Sequence, residues 1–554
     1  MRKSKLLVLL LCCLLAMSPT LSGCRRDEGS EEIDPNRTQI YAAIQDVGVG
    51  TQWLYDIKAK FEKDYPDYQL MIEVQTNMLD DGTVQGNLIG SKYDVFFTGY
   101  IEDLTTFEGK VYDLSEIVNE KVYGEDGELS ETAPVKSIAD KMYAKKDYYN
   151  VFDFSETGEI GEGRFIALPY FTSIYGLWYD ADLFEEEGLY NIPGYKGLDN
   201  VLGTEDDFWG ADGEEGTYDD GLPAVFDDFV LMIDTMVQYG ITPFTWSGMY
   251  SWMRTFYLDS VWANYEGINN YMLNRTFEGT DSNLGEINHQ NGWKLIQQKG
   301  RLAALKMAEK MTESPQYYSG TAFFNTQTHL KAQEDFLGSV TASDRNRIAM
   351  IIDGSWWEYE AKNYMTDMAA SRGQKFAYGN RKFGFMPFPV FKGVNGLPDQ
   401  TNTEQILLDR TATTCIVVNQ SIANREKVKE GVAKLLQYMH TQSNLAAFHE
   451  TTGMGRAYEY KLDETNFAKM TDMAVSTYRI ANAPETRVAI TIDSEFRISN
   501  PAMFNRWEWG CSINNTNYGE PFITFVENSN LTAEQFFAGM ANYSSQSKWE
   551  ELIG

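Results

Sequence analysis

The chain has 554 residues, with 80 Asp and Glu against 47 Lys and Arg and a formal net charge of -33; it lacks the basic excess with which a protein tracks nucleic-acid phosphates. Hydrophobic residues make up 43%, aromatics 14% and charged residues 23%, the composition of a folded chain with a large core and not of a disordered acidic polymer. At roughly 100 to 200 residues per domain the length allows about three domains or two large lobes, and five cysteines are too few for a disulfide scaffold.

Arg2, Lys3 and Lys5 precede an apolar run from Leu6 to Ala16 that is too short to span a bilayer as a stable helix, the pattern of a secretory leader. It ends in Leu21-Ser22-Gly23-Cys24, which resembles the lipobox of bacterial lipoproteins, whose leader is cut before the cysteine. Residues 1–23 are therefore expected to form a signal peptide and Cys24 to carry the lipid, which would anchor the chain to the cell membrane on its extracytoplasmic side. An ordinary leader cut nearby, with Cys24 a bystander, is the alternative. Losing three positive charges takes the net charge from -33 to -36. Residues 24–35 are polar and read as a flexible tether, and no later stretch reaches the roughly 18 apolar residues of a membrane span.

The body opens with TQIYAAI, where Ile40, Ala42 and Ile44 alternate onto one face, followed by Trp53, Leu54, Ile57 and Phe61 at helical spacing. YQLMIEV and the apolar run YDVFF follow as strands, so a βαβ sheet with parallel strands is predicted. Phe226, Phe229, Val230, Ile233 and Val237 mark an amphipathic helix after Pro223; Val428, Val432, Leu435, Leu436 and Met439 mark another, directly after the strand TTCIVV. Cys12 and Cys13 leave with the leader. Cys415 reads as a buried strand residue and Cys511 as a loop residue, two inert thiols in preference to a disulfide. In open α/β sheets ligands sit beyond the carboxyl ends of strands, so the loops there are where a site is sought.

Several segments in order resemble the extracellular solute-binding proteins of family 1, the sugar-binding lipoproteins of ABC importers: KYDVFFTGYIEDLTTF with VYDLSEIV, GRFIALPYFTSIYGLWYDADLFEEEGL, GLPAVFDDFVLMIDTMVQYGITPFTWSG, IAMIIDGSWW, FGFMPFPV, the Cys415 strand with its helix, and LTAEQFFAGMANYSSQSKW. The resemblance covers essentially the whole mature chain. It implies a periplasmic-binding-protein-like α/β fold: two lobes, 36–167 plus 412–450 and 168–411 plus 451–554, joined by a hinge around an interlobe cleft. It also implies delivery of a sugar to the permease subunits of an importer; the length of the chain and its many candidate aromatic platforms favour an oligosaccharide over a monosaccharide. The stretch between about 250 and 345 matches no motif.

A neutral sugar presents C–H faces and hydroxyl edges, so its site needs aromatic platforms beside groups that donate and accept hydrogen bonds. Loop-like settings next to glycine and polar residues single out Tyr100, Tyr170, Trp246, Trp252, Trp356, Trp507 and Trp509 as platforms, with Asp353 and Glu508 as acceptors and Arg456 as donor. Core packing is the competing role for any aromatic, and a surface ion pair for any charge. Gly48 and Gly50 open like a dinucleotide fingerprint, but Trp53 stands in place of its third glycine, which leaves a tight turn approaching the cleft.

Between Asp199 and Asp220 nine acids occur without a Lys or Arg, and positions recur thirteen apart: Asp199 with Asp212, Asp206 with Asp219, Asp207 with Asp220. Closely spaced Asp carboxylates on glycine-bearing turns suit calcium, which collects six to eight oxygens. The expectation is a structural calcium ion on these six residues, the alternative a solvated acidic loop. No GxSxG, HExxH, P-loop or CxxC pattern occurs in the mature chain, and the four His are scattered. A non-enzyme is expected. The runner-up readings are a surface glycoside hydrolase or lyase, which needs only two placed carboxylates, and a binding subunit that feeds a membrane sensor.

Overall fold

The computed structural model describes residues 32–75, 81–99, 107, 109–145, 152, 164–340, 347–409, 414–491, 493–500 and 508–553. The expected leader and Cys24 lie outside the described residues. In chain order the strands that build the lobes are β1 (Thr38–Gln45), β2 (Tyr68–Gln75), β3 (Val95–Phe97), β4 (Leu168–Pro169), β5 (Tyr175–Asp180), β6 (Thr242–Thr245), β7 (Ile348–Gly354), β8 (Phe383–Met386), β9 (Gln405–Asp409), β10 (Cys415–Val418) and β11 (Thr486–Ile490). The helices that matter for the site are α1 (Gln52–Asp64), α2 (Phe226–Gln238), α3 (Ser251–Glu266), α4 (Lys299–Thr312), α5 (His329–Ser339) and α6 (Glu426–Met439).

The first sheet runs β2-β1-β3-β10-β4. Its β1, β2 and β3 are parallel, the arrangement the opening alternation predicts. The chain returns at Cys415 to lay β10 antiparallel between β3 and β4, so the completed sheet is mixed. Val95, Phe96 and Phe97 are all fully buried, as the continuous apolar run of a strand covered on both faces requires. α1 buries Trp53, Leu54, Ile57 and Phe61, each contributing roughly 1.5–3 kcal/mol. Beside it on the same face of the sheet, α6 buries Val432, Leu435, Leu436 and Met439, and its Tyr438 ring meets Phe61 of α1 at 5.8 Å. It lies close because Gly431 has no side chain: a Cβ there would sit 2.6 Å from the Tyr68 ring.

The second sheet runs β8-β5-β7-β6 and is largely antiparallel, with only β6 and β7 parallel. α2 covers it with Phe226, Phe229, Met232, Ile233 and Met236, while Val230 and Val237 are only half-buried. The apolar face is thus turned slightly toward the methionines from the face read in the sequence. The stretch without a motif forms α3, α4 and α5, a helical layer of the second lobe. Gly300 lets α4 meet α3, since a Cβ there would lie 2.4 Å from the Trp262 ring.

Two separate hydrophobic cores follow from these sheets. The first includes Leu168, Tyr170, Phe171, Met454, Ala457 and Tyr458, so it reaches a few residues past the boundaries of 167 and 450 drawn from the sequence. Cys415 belongs to the first core and Cys511 to the second; both are buried, and neither is in a disulfide. Between the cores the chain passes near residues 171–174 and again after Leu408. These passages are tied where Ile174 bridges Asp409 and Ser173 N–H donates to Asp409 Oδ1 at 3.2 Å. The Tyr458 hydroxyl adds a bond to the Pro169 carbonyl at 2.7 Å.

Candidate ligand-binding cleft

A cavity of about 180 Å³ lies between the lobes beside these crossings. The first lobe supplies Val47, Gly48 and Val49, the loop beyond the carboxyl end of β1; Phe171, Ser173 and Thr414 line the crossings. From the second lobe come Tyr175 at the start of β5, Tyr250, Trp252 and Met253 at the start of α3, His329 at the start of α5, and Trp356 and Glu360 beyond β7. Strand ends and helix starts thus converge from both lobes, as open α/β sheets place their ligands.

The cavity is walled by rings. Tyr175 meets Trp356 edge to face at 5.0 Å between centroids, Phe256 at 5.0 Å and Trp252 at 5.9 Å. Trp252 is 39% exposed, which leaves a ring surface open to a ligand. Trp356 is clamped: a Cβ on Gly354 would fall 2.1 Å from its ring, and one on Gly48, across the cleft, 2.6 Å. Gly50, at φ +60°, faces Tyr359 in the same way at 2.8 Å. The glycines read as a tight turn are therefore the places where the first lobe receives aromatic rings from the second.

Beneath the rings runs a polar chain. His329 Nε2 lies 3.3 Å from Glu360 Oε1, and Gln333 Nε2 donates to Glu360 Oε2 at 2.8 Å and to Asp353 Oδ2 at 3.1 Å. Asp353 is 1% exposed and also accepts from Gly354 N at 2.7 Å. Burial first, and the Glu360 charge second, push its carboxyl up to about 7. Burial works against a protonated His329, but the hydrogen bond and charge of Glu360 outweigh it and raise its pKa. The site therefore offers aromatic faces, one carboxylate edge at Glu360 and an imidazole donor, which together can hold a ring with hydroxyls around it.

Of the residues singled out in the sequence, Trp252 and Trp356 line this cavity and Asp353 sits just beneath it. Tyr170 is instead a core residue of the first lobe. It is fully buried, stacked on Trp53 at 5.9 Å, and its hydroxyl donates to the Thr98 carbonyl at 3.3 Å. Trp246 is likewise fully buried, edge to face with Phe522 at 5.0 Å in the second core. Trp509 is 4% exposed and packs on Trp262. Its neighbour Glu508 pairs with Arg497 and, at 3.4 Å, with Arg275, in an ion-pair network remote from the cleft. Arg456 lines a different cavity on the other side of the crossings. Tyr100 and Trp507 lie outside the described residues. Sequence reasoning missed Tyr175, Tyr250, His329 and Glu360: the first reads as an alternating strand residue, and the middle two fall in or beside the stretch without a motif.

The acidic segment folds into two equivalent turns. Asp199 N–H donates to Asp206 Oδ2 at 2.9 Å, and thirteen residues on Asp212 N–H donates to Asp219 Oδ2 at 3.2 Å. Gly203 N–H and Gly216 N–H reach Asp207 and Asp220, each at 2.9 Å, while Thr204 and Thr217 hydroxyls reach Asp206 and Asp219, each at 2.9 Å. Asp219 is fully buried; burial and then the Asp212 charge push it up to about 7. Among the described residues no group of three or more His, Cys, Asp or Glu side chains is arranged to hold a metal ion. Nor, among them, is any helix long and apolar enough to cross a membrane.

No protein-family model and no curated protein matches the sequence. Solved structures do. The chain is similar to a probable secreted solute-binding lipoprotein from Streptomyces coelicolor, at 13% identity and TM-score 0.53 over 92% of this chain and 99% of that one. It is similar to a chitin oligosaccharide binding protein, at 13% identity and TM-score 0.51 over 93% and 98%. It is also similar to the bacterial solute receptor AcbH, at 13% identity and TM-score 0.50 over 92% and 99%. With nearly the full length of each aligned, the chain has the two-lobed fold of these solute-binding proteins.

Proposed function

We propose that the chain captures a carbohydrate between its lobes and delivers it to the permease of an ABC importer. The observation that carries this reading is the interlobe convergence of Tyr175, Trp252 and Trp356 on a glycine loop of the opposite lobe, beside Glu360 and His329. Of the similar proteins, one binds a chitin oligosaccharide and AcbH prefers β-D-galactopyranose, which is support by analogy of fold. Open lobes admit the sugar, and contacts from both lobes favour the closed state. At about 180 Å³ the cleft is smaller than the roughly 300–1,000 Å³ that holds a drug-sized ligand.

Capture proceeds without chemistry in this reading. A glycosidase would need two carboxyl groups free to act on either side of a bond; Asp353 is sealed and shares the Gln333 amide with Glu360. A calorimetric screen of oligosaccharides with product analysis tests both points. Stoichiometric heat without turnover is expected, and released product overturns it. The leader and a lipid on Cys24 belong to the same proposal, since the receptor must stay at the extracytoplasmic surface; metabolic labelling with a fatty acid, lost in Cys24→Ala, tests them. Calcium at the acidic turns is proposed as a structural ion that would relieve the Asp212–Asp219 repulsion. Absence of heat when millimolar calcium is titrated into calcium-stripped protein would end that idea.

A further inference from the structure

A second cavity, of about 320 Å³, lies across the crossings from the cleft. Phe171 and Ser173 line the cleft while Thr172, between them, lines this second cavity, because successive side chains along a strand-like segment point to opposite sides. Its walls come from both lobes: Lys145 follows the helix Ile138–Tyr143 of the first, and Tyr478 and Arg487 belong to the second.

The charge of this cavity runs against that of the chain. In a protein of net charge -33, Lys145, Arg456 and Arg487 line it, and no Asp or Glu does among the described residues. Arg456 is 3% exposed and its Nε has no hydrogen-bond partner among the described residues. Its other recorded polar side-chain contact is His440 Nε2 at 3.4 Å, a ring whose protonation burial opposes. Phe448, Tyr458 and Trp53 surround the guanidinium at 4.7, 5.8 and 5.9 Å. Burial lowers Arg456 only to about 10, so the cation persists at neutral pH. A buried cation without a carboxylate is costly, and an anion that pairs with it removes that cost.

We infer that this cavity is a binding site for a small organic oxyanion, a carboxylate or phosphate group carried on a ring. Arg456 and Lys145 would meet the anionic group, and Tyr458, Tyr460 and Tyr478 would face the ring. The volume falls within the roughly 300–1,000 Å³ of pockets for small organic ligands. The site is separate from the sugar cleft and does not depend on the identity of the cleft's ligand.

The test is calorimetric titration of the full chain with benzoate, phenyl phosphate and, as the neutral control, benzyl alcohol. Saturable binding of one anion per chain is expected, without binding of benzyl alcohol; the tighter of the two anions identifies the oxyanion chemistry. Arg456→Gln is expected to weaken the anion at least tenfold. Because Arg456 is buried and its variant can lose the fold, Lys145→Gln, at a half-buried position, is measured beside it and is expected to weaken binding several-fold. Failure of both anions to saturate at millimolar concentration overturns the inference, as does wild-type affinity in a folded Lys145→Gln.

Discussion

Replacing Gly48 by Ala separates closure of the lobes from their stability. The backbone at Gly48 does not need a left-handed φ, but a Cβ there would stand 2.6 Å from Trp356 Cδ1, about 1 Å inside an ordinary carbon–carbon contact of ~3.5–4.0 Å. Gly48 belongs to the first lobe and Trp356 to the second, so the overlap exists only when the lobes are together. Overpacking of this kind costs about 1–3 kcal/mol, and since the open state escapes it, the whole cost falls on ligand-driven closure, a weakening of roughly 5- to 150-fold. Gly354→Ala presses on the same ring, with a Cβ 2.1 Å away, but from within the second lobe, where opening the hinge gives no relief. Calorimetry with whichever sugar binds the wild type, beside thermal unfolding without ligand, reads both effects. Gly48→Ala is expected to lose affinity at an unchanged Tm, and Gly354→Ala to lower the Tm. Sugar affinity within twofold of wild type in Gly48→Ala refutes the claim that this contact forms on closure.

Four further outcomes follow from the same geometry. Trp252→Ala removes a half-exposed ring, so sugar affinity is expected to fall about fivefold, ~1 kcal/mol of ring contact, at a Tm close to wild type; a lower Tm with intact affinity would make Trp252 a packing residue. Tyr170→Phe removes the bond to the Thr98 carbonyl and is expected to cost about 0.5–1.5 kcal/mol in urea unfolding while sugar binding stays unchanged. Asp353 and Asp219 each stand at about 7 in the folded chain against 3.8 as the ordinary value. The folded state therefore binds protons that the unfolded state has released, the stability they contribute is fully present below about pH 4, and it is lost as pH rises through 7. In calcium-free buffer between pH 5.5 and 8.5 the unfolding free energy is expected to drop on their account, and Asp353→Asn, with no carboxyl to ionise, is expected to flatten that drop. An equal slope in Asp353→Asn would place the pH dependence elsewhere.

The sequence was legible where physical pattern and position coincide. The alternation in TQIYAAI and the helical spacing of Trp53, Leu54, Ile57 and Phe61 correspond to β1 and α1, because one periodicity decides both the element and its buried face. The strand TTCIVV and its following helix are equally direct. The mixed order of the first sheet was not, since nothing in the Cys415 segment says that it enters between β3 and β4; pairing partners remote in sequence leave no local mark. The layer formed by α3, α4 and α5 was opaque for a related reason. It packs against elements far along the chain, and it carries Trp252 and His329 to the cleft only through that packing.

The candidate platforms divide in an instructive way. A tryptophan beside glycine and serine has the same neighbours whether the glycine opens a binding loop or lets the ring sink into a core, and Trp246 and Trp356 illustrate the two outcomes. Gly248, two residues after Trp246, accepts the chain of another segment so closely that a Cβ would lie 2.4 Å from the Phe324 carbonyl oxygen, and Trp246 is covered. Gly354, two residues before Trp356, accepts the tryptophan ring itself and props it at the cleft, where Gly48 receives it from the other lobe. What distinguishes a platform from a core residue here is which group occupies the space a glycine vacates. That is a property of two segments at once, and it is why the decisive contact of the site, Gly48 against Trp356, belongs to neither loop alone.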